Sequence, residues 1–197
     1  MEHYFTNDPY LKSEIRTLNY KRESYSFTFF SDNGVFAKDK IDYGSAFLLD
    51  VFLKNKDKEI KSILDVGCGY GFIGIVLSKI LDIEVDMIDV NKRALHLAER
   101  NSKEMKVKAQ AFLSDGYESV EKEYDVIITN PPIRAGKEVV MRILINAKEH
   151  LNQNGTLWFV MRKDHGVKST IKKLEETYQT EIIEKSKGFY VVKAQIR

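Results

Sequence analysis

The chain of 197 residues is poor in cysteine and proline, holding one of the first, Cys68, and three of the second. A single thiol excludes an intramolecular disulfide and fits a reducing compartment, so a cytoplasmic location is expected. No apolar run approaches the ~20 residues that span a bilayer, and no membrane partner is expected. The amino-terminal stretch MEHYFTNDPYLKSEIR has no basic segment followed by an apolar one, so no signal peptide is read. Charge of one sign is also scarce. With 31 Lys and Arg against 29 Asp and Glu, the net charge of +2 does not argue for nucleic acid by itself. The four histidines, His3, His96, His150 and His165, show no ligand spacing, so no metal is expected. Asn154-Gly155-Thr156 matches a glycosylation sequon but, without an export signal, reads as a turn.

What is present is alternation. From Lys61 onward, strand-like apolar runs alternate with amphipathic ones. Strands are predicted at 62–66, 84–89, 107–113, 124–129 and 156–161, and helices at 72–81, 91–104, 137–151 and 167–177. Asn91 is placed to cap the second helix, and Asn154-Gly155 to end the third. Two last strands, 180–185 and 189–196, are joined by Lys187-Gly188, which implies an antiparallel hairpin. The pattern predicts an α/β fold with a mostly parallel sheet of seven strands and helices on both faces. The first sixty residues differ. Tyr25, Phe27 and Phe29 alternate with polar residues, and Asp32-Asn33-Gly34 turns into Val35-Phe36-Ala37, a hairpin signal. A short apolar helix is predicted at 45–54. Residues 1–60 therefore read as an extension packed on a domain of residues 61–197.

The first strand runs into Asp65-Val66-Gly67-Cys68-Gly69-Tyr70-Gly71-Phe72. Glycines at alternate positions let backbone turn sharply beside a ligand, at the usual ligand end of a parallel sheet. In the dinucleotide fingerprint G-x-G-x-x-G the last glycine would fall where Phe72 stands. The acid Asp65 beside the loop disfavours a pyrophosphate and suits a cationic amine. Asp89 ends the second strand, placed to accept from ribose hydroxyls. Asp115 follows the third strand, placed to accept from the adenine amine. S-adenosylmethionine carries an amino acid, a ribose and an adenine, and is the one ligand that uses all three features.

These stretches, DVGCGYG, VDMIDVN, LSDG and DVIITNPPI with the terminal hairpin, resemble the class I methyltransferases, a Rossmann-like fold, from Ile60 to the carboxyl terminus. The resemblance implies that Asp65, Gly67, Gly69 and Gly71 hold the methionine part of S-adenosylmethionine, Asp89 the ribose and Asp115 the adenine. It implies that Cys68, Val90 and Asn130 also bind this cofactor, and that S-adenosylhomocysteine is the product. NPPIRAGK together with GVFAKDKIDYGSAFLL, residues 34–49, resembles the branch of ribosomal RNA small-subunit guanine-N2 methyltransferases. Many members of that branch carry a second, degenerate copy of the domain; one copy is seen here. Ile133 also departs from pattern, since the motif of amine-methylating members ends in an aromatic.

Two of the three prolines follow Asn130. Proline removes a ladder donor, so Pro131-Pro132 terminates a strand, but that alone does not account for the preceding amide. An exocyclic amine is a poor nucleophile because its lone pair is delocalised. If the Asn130 oxygen accepts one N–H and the Pro131 carbonyl the other, the lone pair is aimed at the methyl donor. Asn130, Pro131, Pro132 and Ile133 are therefore the candidate catalytic residues, and the expected reaction is methyl transfer to guanine N2 of ribosomal RNA or a ribosomal subunit. Adenine-N6 and glutamine-N5 transfer share this logic, and a cofactor-binding RNA scaffold without turnover is the non-enzymatic alternative. Pyrimidine carbon-5 transfer needs a cysteine nucleophile, and Cys68 lies inside the glycine loop. Arg134, Lys137, Arg162 and Lys163 sit where phosphate contacts would be useful. Tyr25, Phe27, Phe29 and Phe36 are either stacking surfaces or a core stripe.

Overall fold

The computed structural model describes residues 7–56 and 59–197; His3 and the start of the stretch examined for a signal peptide lie outside them. Seven strands form one sheet in the order β5-β4-β3-β6-β7-β9-β8. They are β3 (Ser62–Val66), β4 (Glu84–Asp89), β5 (Ala109–Leu113), β6 (Tyr124–Thr129), β7 (Leu151–Arg162), β8 (Tyr178–Ser186) and β9 (Phe189–Ile196). Pairings β3–β4, β4–β5, β3–β6 and β6–β7 are parallel, while β9 runs antiparallel between β7 and β8. The sheet order reverses between β3 and β6, so the carboxyl ends of these neighbours open into one crevice.

Period-two alternation sorts the sheet onto two cores. Ile63, Val85, Met87, Val126, Ile128, Trp158 and Val160 face one side, and Leu64, Ile88, Ile127, Leu157 and Phe159 the other. The first side is covered by α1 (Tyr43–Asn55), α2 (Phe72–Leu81) and α3 (Lys92–Met105), the second by α4 (Lys137–Asn146) and α5 (Val167–Leu174). Asn91 caps α3, accepting from Ala94 N at 2.9 Å.

Two sequence expectations are corrected. Strand β2 (Tyr25–Ser31) does not pair forward with Val35-Phe36-Ala37; it pairs back with β1 (Arg16–Arg22), and the chain reverses at Glu23-Ser24. The Asp32-Asn33-Gly34 segment serves another purpose. The buried Asp32 carboxylate accepts from Ser13 Oγ, Glu14 N and Asn33 N and pairs with Arg93 on α3, so it ties the amino-terminal arm down. Burial pulls its pKa up, but these partners outweigh burial and hold it below the usual carboxylate value. Second, α4 stops at Asn146, a single 3-10 turn covers Ala147–His150, and β7 begins at Leu151. Asn154-Gly155 is therefore no helix cap. It lies inside β7, where the pairing register with β6 shifts.

The hairpin β1–β2 packs on the first core. Phe27 and Phe29 are 2% and 0% exposed, among Tyr70, Phe72 and Ile73, so they are core rather than stacking surface. Buried Asn101 on α3 bonds across three segments. Its amide nitrogen donates to Phe30 O and Tyr70 O at 3.0 and 2.9 Å, and its oxygen accepts from Phe30 N at 2.8 Å. All its hydrogen-bonding partners are backbone, so it locks hairpin and glycine loop to one helix.

Candidate active site

The glycine loop leaves β3 and is tied to its neighbours by backbone. Gly67 N and Cys68 N donate to Ile88 O at 2.8 and 3.0 Å, and Gly71 N to Cys68 O at 2.9 Å. Gly67 and Gly69 have φ of 73° and 56°, and a Cβ built at either meets nothing within 4 Å. The loop thus presents bare backbone to open space. Gly71 differs: a Cβ there would lie 2.7 Å from Ile75 Cδ1, so this glycine lets the loop seat on α2.

Asp65, 1% exposed, accepts from Gly74 N at 2.9 Å and lines the cavity in front of the loop. Burial, moderated by the Gly74 bond and reinforced by the charge of Asp89, raises its pKa to about 7. Such a carboxylate gains by meeting a cation. Cys68 lines the same cavity, with its thiol pushed up by burial and by Asp89 and Asp65, which leaves it protonated and unreactive.

Asn130 follows β6, whose end is fixed to β3 by Thr129 Oγ1 donating to Val66 O at 2.7 Å. Its amide nitrogen donates to Asp42 Oδ2 at 3.0 Å and to Ser45 Oγ at 2.9 Å. An ionised carboxylate only accepts, so this pairing sets the amide orientation. The Asn130 oxygen is then turned away from Asp42. Asp42 is itself the cap of α1, accepting from Ser45 N at 2.7 Å. Beyond Asn130, Ile133 N donates to Pro131 O at 2.8 Å, Pro132 having φ −76° and ψ 78°. This tight turn occupies one lone pair of the Pro131 carbonyl and leaves the other. Ile133 opens a 3-10 turn and packs on the second core.

Asp65, Gly67, Cys68, Gly69 and Asn130 therefore meet at one cavity. The remaining candidates, Gly71, Asp89, Val90, Asp115, Pro131, Pro132 and Ile133, do not line it. The buried Asp89 carboxylate accepts from Gly69 N and Asn91 N, both at 2.9 Å, and so braces the glycine loop. Val90 O accepts from Asn7 Nδ2 at 3.0 Å. Asp115 is exposed and ion-paired with Arg142 of α4. Sequence reasoning assigned no role to Asp42, Ser45 and Tyr70, which join the lining together with Phe36, one of the aromatics read as either stacking surface or core. Phe36 is 48% exposed at its mouth. Among the described residues no three of His, Cys, Asp and Glu are grouped to hold a metal, and no helix is long and apolar enough to cross a membrane.

The chain is 42% identical over 200 residues to the uncharacterized protein YbxB of Bacillus subtilis, covering 98% of each. It is 34% identical over 139 residues to the ribosomal RNA small subunit methyltransferase C of Haemophilus influenzae (strain 86-028NP), covering 68% of this chain and 41% of that protein. The T. thermophilus 16S rRNA N2 methyltransferase RsmC, solved with AdoMet and guanosine, superposes with a TM-score of 0.82 at 24% identity, over 96% of this chain and 52% of that one. The chain thus spans about half the length of these ribosomal RNA methyltransferases. The family model described as "Methyltransferase small domain" matches residues 26–193, and the chain belongs to that family.

Proposed function

We propose that this chain is a cytoplasmic S-adenosylmethionine-dependent methyltransferase acting on guanine N2 of ribosomal RNA. The observation that carries the reading is the Asn130 amide, its nitrogen held by Asp42 and Ser45 and its oxygen left for a donor beside the glycine loop. Two features of the cavity favour the cofactor: the backbone is bare at Gly67 and Gly69, and buried Asp65 suits the ammonium of its methionine part. Asp89, Val90 and Asp115 would serve the ribose and adenine. When bound, S-adenosylmethionine supplies an electrophilic methyl group on a sulfonium.

The chain's own residues do the rest. Asn130 Oδ1 accepts one hydrogen of the exocyclic amine, and the free lone pair of Pro131 O accepts the other. Holding both hydrogens points the nitrogen lone pair out of the ring plane. Positive charge grows on that nitrogen as the new carbon–nitrogen bond forms, so both bonds strengthen in the transition state. A bond to a charged group contributes about 1.5–3 kcal/mol, or roughly 10- to 150-fold in rate. The extra proton leaves to water. Residues 1–60 supply Asp42 and Ser45 and close the cavity at Phe36.

The test is transfer of label from S-adenosylmethionine to small ribosomal subunits from cells lacking this protein, followed by nucleoside analysis. Label in N2-methylguanosine is expected. Label in N6-methyladenosine, or in protein alone, refutes the assignment.

A further inference from the structure

The cavity holds one acceptor that the reading above does not use. Asp42 Oδ2 accepts from both Ser45 N and Asn130 Nδ2. Its other oxygen, Oδ1, has no partner among the described residues, although Asp42 lines the cavity with Asn130. Tyr70, also in the lining, is pushed up by burial and then by the charge of Asp42, so that charge is felt across the cavity. A base whose amine reaches Asn130 Oδ1 thus brings its neighbouring ring atom toward a carboxylate oxygen.

Purines differ at that ring atom. Guanine carries N1–H next to the N2 amine, two donors side by side. Adenine carries a bare N1 next to its N6 amine, a donor beside a lone pair. Two acceptors in a row match the first pattern and repel the second. We propose that Asp42 is a specificity-determining residue, its Oδ1 accepting guanine N1–H while Asn130 Oδ1 accepts from N2. The proposal rests on the guanine-N2 reading and adds to it the means of choosing guanine.

The base 2-aminopurine keeps the 2-amine but lacks the N1 hydrogen and the 6-oxygen, so the N1 contact is read from how a change at Asp42 alters the preference between the two bases. Asp42→Asn tests the other side. Asparagine caps a helix as well as aspartate does. Ser45 N and Asn130 Nδ2 are both donors, so they claim the new side chain's one oxygen. Its NH2 then takes the place of Oδ1 and turns a donor to the base. RNA fragments spanning the nucleotide found by the labelling assay are made with guanine or 2-aminopurine at that position. Transfer in a single turnover and binding, followed by the fluorescence of 2-aminopurine and by competition with the guanine RNA, are measured for both proteins. Wild type is expected to favour guanine by roughly 10- to 100-fold, and Asp42→Asn to bring the ratio to about one or invert it.

Equal losses on both RNAs in the variant would mean that Asp42 only positions Asn130, and would overturn the proposal while leaving the guanine-N2 reading standing. Equal transfer to both RNAs by wild type would overturn it without reference to the variant, whether or not the variant folds. No transfer by wild type to either RNA would remove the guanine-N2 reading and this proposal together.

Discussion

Asp65→Asn is predicted to stabilise the protein while abolishing its grip on the cofactor. The wild-type carboxyl has a folded-state pKa of about 7 against an ordinary value of 3.8, because it is buried and sits near Asp89. A raised carboxyl contributes stability in full below its unfolded value and loses it as pH climbs through about 7. At about 1.36 kcal/mol per unit, that loss comes to slightly over 4 kcal/mol above neutrality, and about 2 kcal/mol of it falls between roughly pH 5.5 and pH 8. Asparagine keeps an oxygen for Gly74 N and has no proton to lose. The melting-temperature advantage of Asp65→Asn should therefore grow by about 4–8 °C from pH 5.5 to pH 8, at about 2–4 °C per kcal/mol for a chain of this size. Differential scanning calorimetry of apoprotein at the two pH values measures it. Adding S-adenosylhomocysteine at a hundred times its Kd should raise wild type by about 2.7 kcal/mol and the variant by little, since the carboxylate proposed to hold the ammonium is gone. Parallel pH dependence in the two proteins, or equal stabilisation by the ligand, would refute the role given to Asp65.

Other outcomes follow from the same geometry. Asn130→Ala should lower kcat by about 100-fold with S-adenosylhomocysteine affinity nearly unchanged in calorimetry, because the role proposed for its oxygen is on the amine rather than the cofactor. Gly69→Ala and Gly71→Ala should separate two functions of one loop. Both incur roughly 1–2 kcal/mol for positive φ, but the added methyl at 69 enters open space and should chiefly cut ligand affinity. At 71 it meets Ile75 at 2.7 Å and Ala98 at 3.3 Å, so urea unfolding should show the larger stability loss there. Asn101→Ala leaves Phe30 N, Phe30 O and Tyr70 O without their side-chain partner, and should lower the urea midpoint by an amount equal to about 3 kcal/mol at unchanged m-value.

The sheet was readable in the sequence where burial is two-sided. β3, β4 and β6 are runs such as SILDV and YDVIIT, bounded by polar or glycine-rich segments, and each forms over the residues predicted for it. The β1 strand was not readable. RTLNYKR buries only Leu18 and carries three charges, so nothing in its pattern distinguishes it from loop. Its partner β2 was visible, and the nearest turn signal, Asp32-Asn33-Gly34, suggested the wrong pairing. Asn154-Gly155 misled for a related reason: a helix stop and a strand irregularity use the same residue types. At the site, the glycine loop and Asn130 were legible because each motif is local. Asp42 was not, because its meaning comes from a contact 88 residues away in sequence. Asp89 and Asp115 were read as ligand contacts from their places at strand ends; the fold adds roles the sequence did not show, Asp89 bracing the glycine loop and Asp115 pairing with Arg142.

The central claim is that Asn130 presents an exocyclic amine of guanine for methylation, and its most direct measurement is quantitative nucleoside analysis of small-subunit ribosomal RNA from cells lacking this chain. N2-methylguanosine is expected to fall by one residue per subunit and to return when wild type is supplied, but not when Asn130→Ala is supplied at equal abundance. An unchanged N2-methylguanosine content, or full restoration by Asn130→Ala, would contradict it.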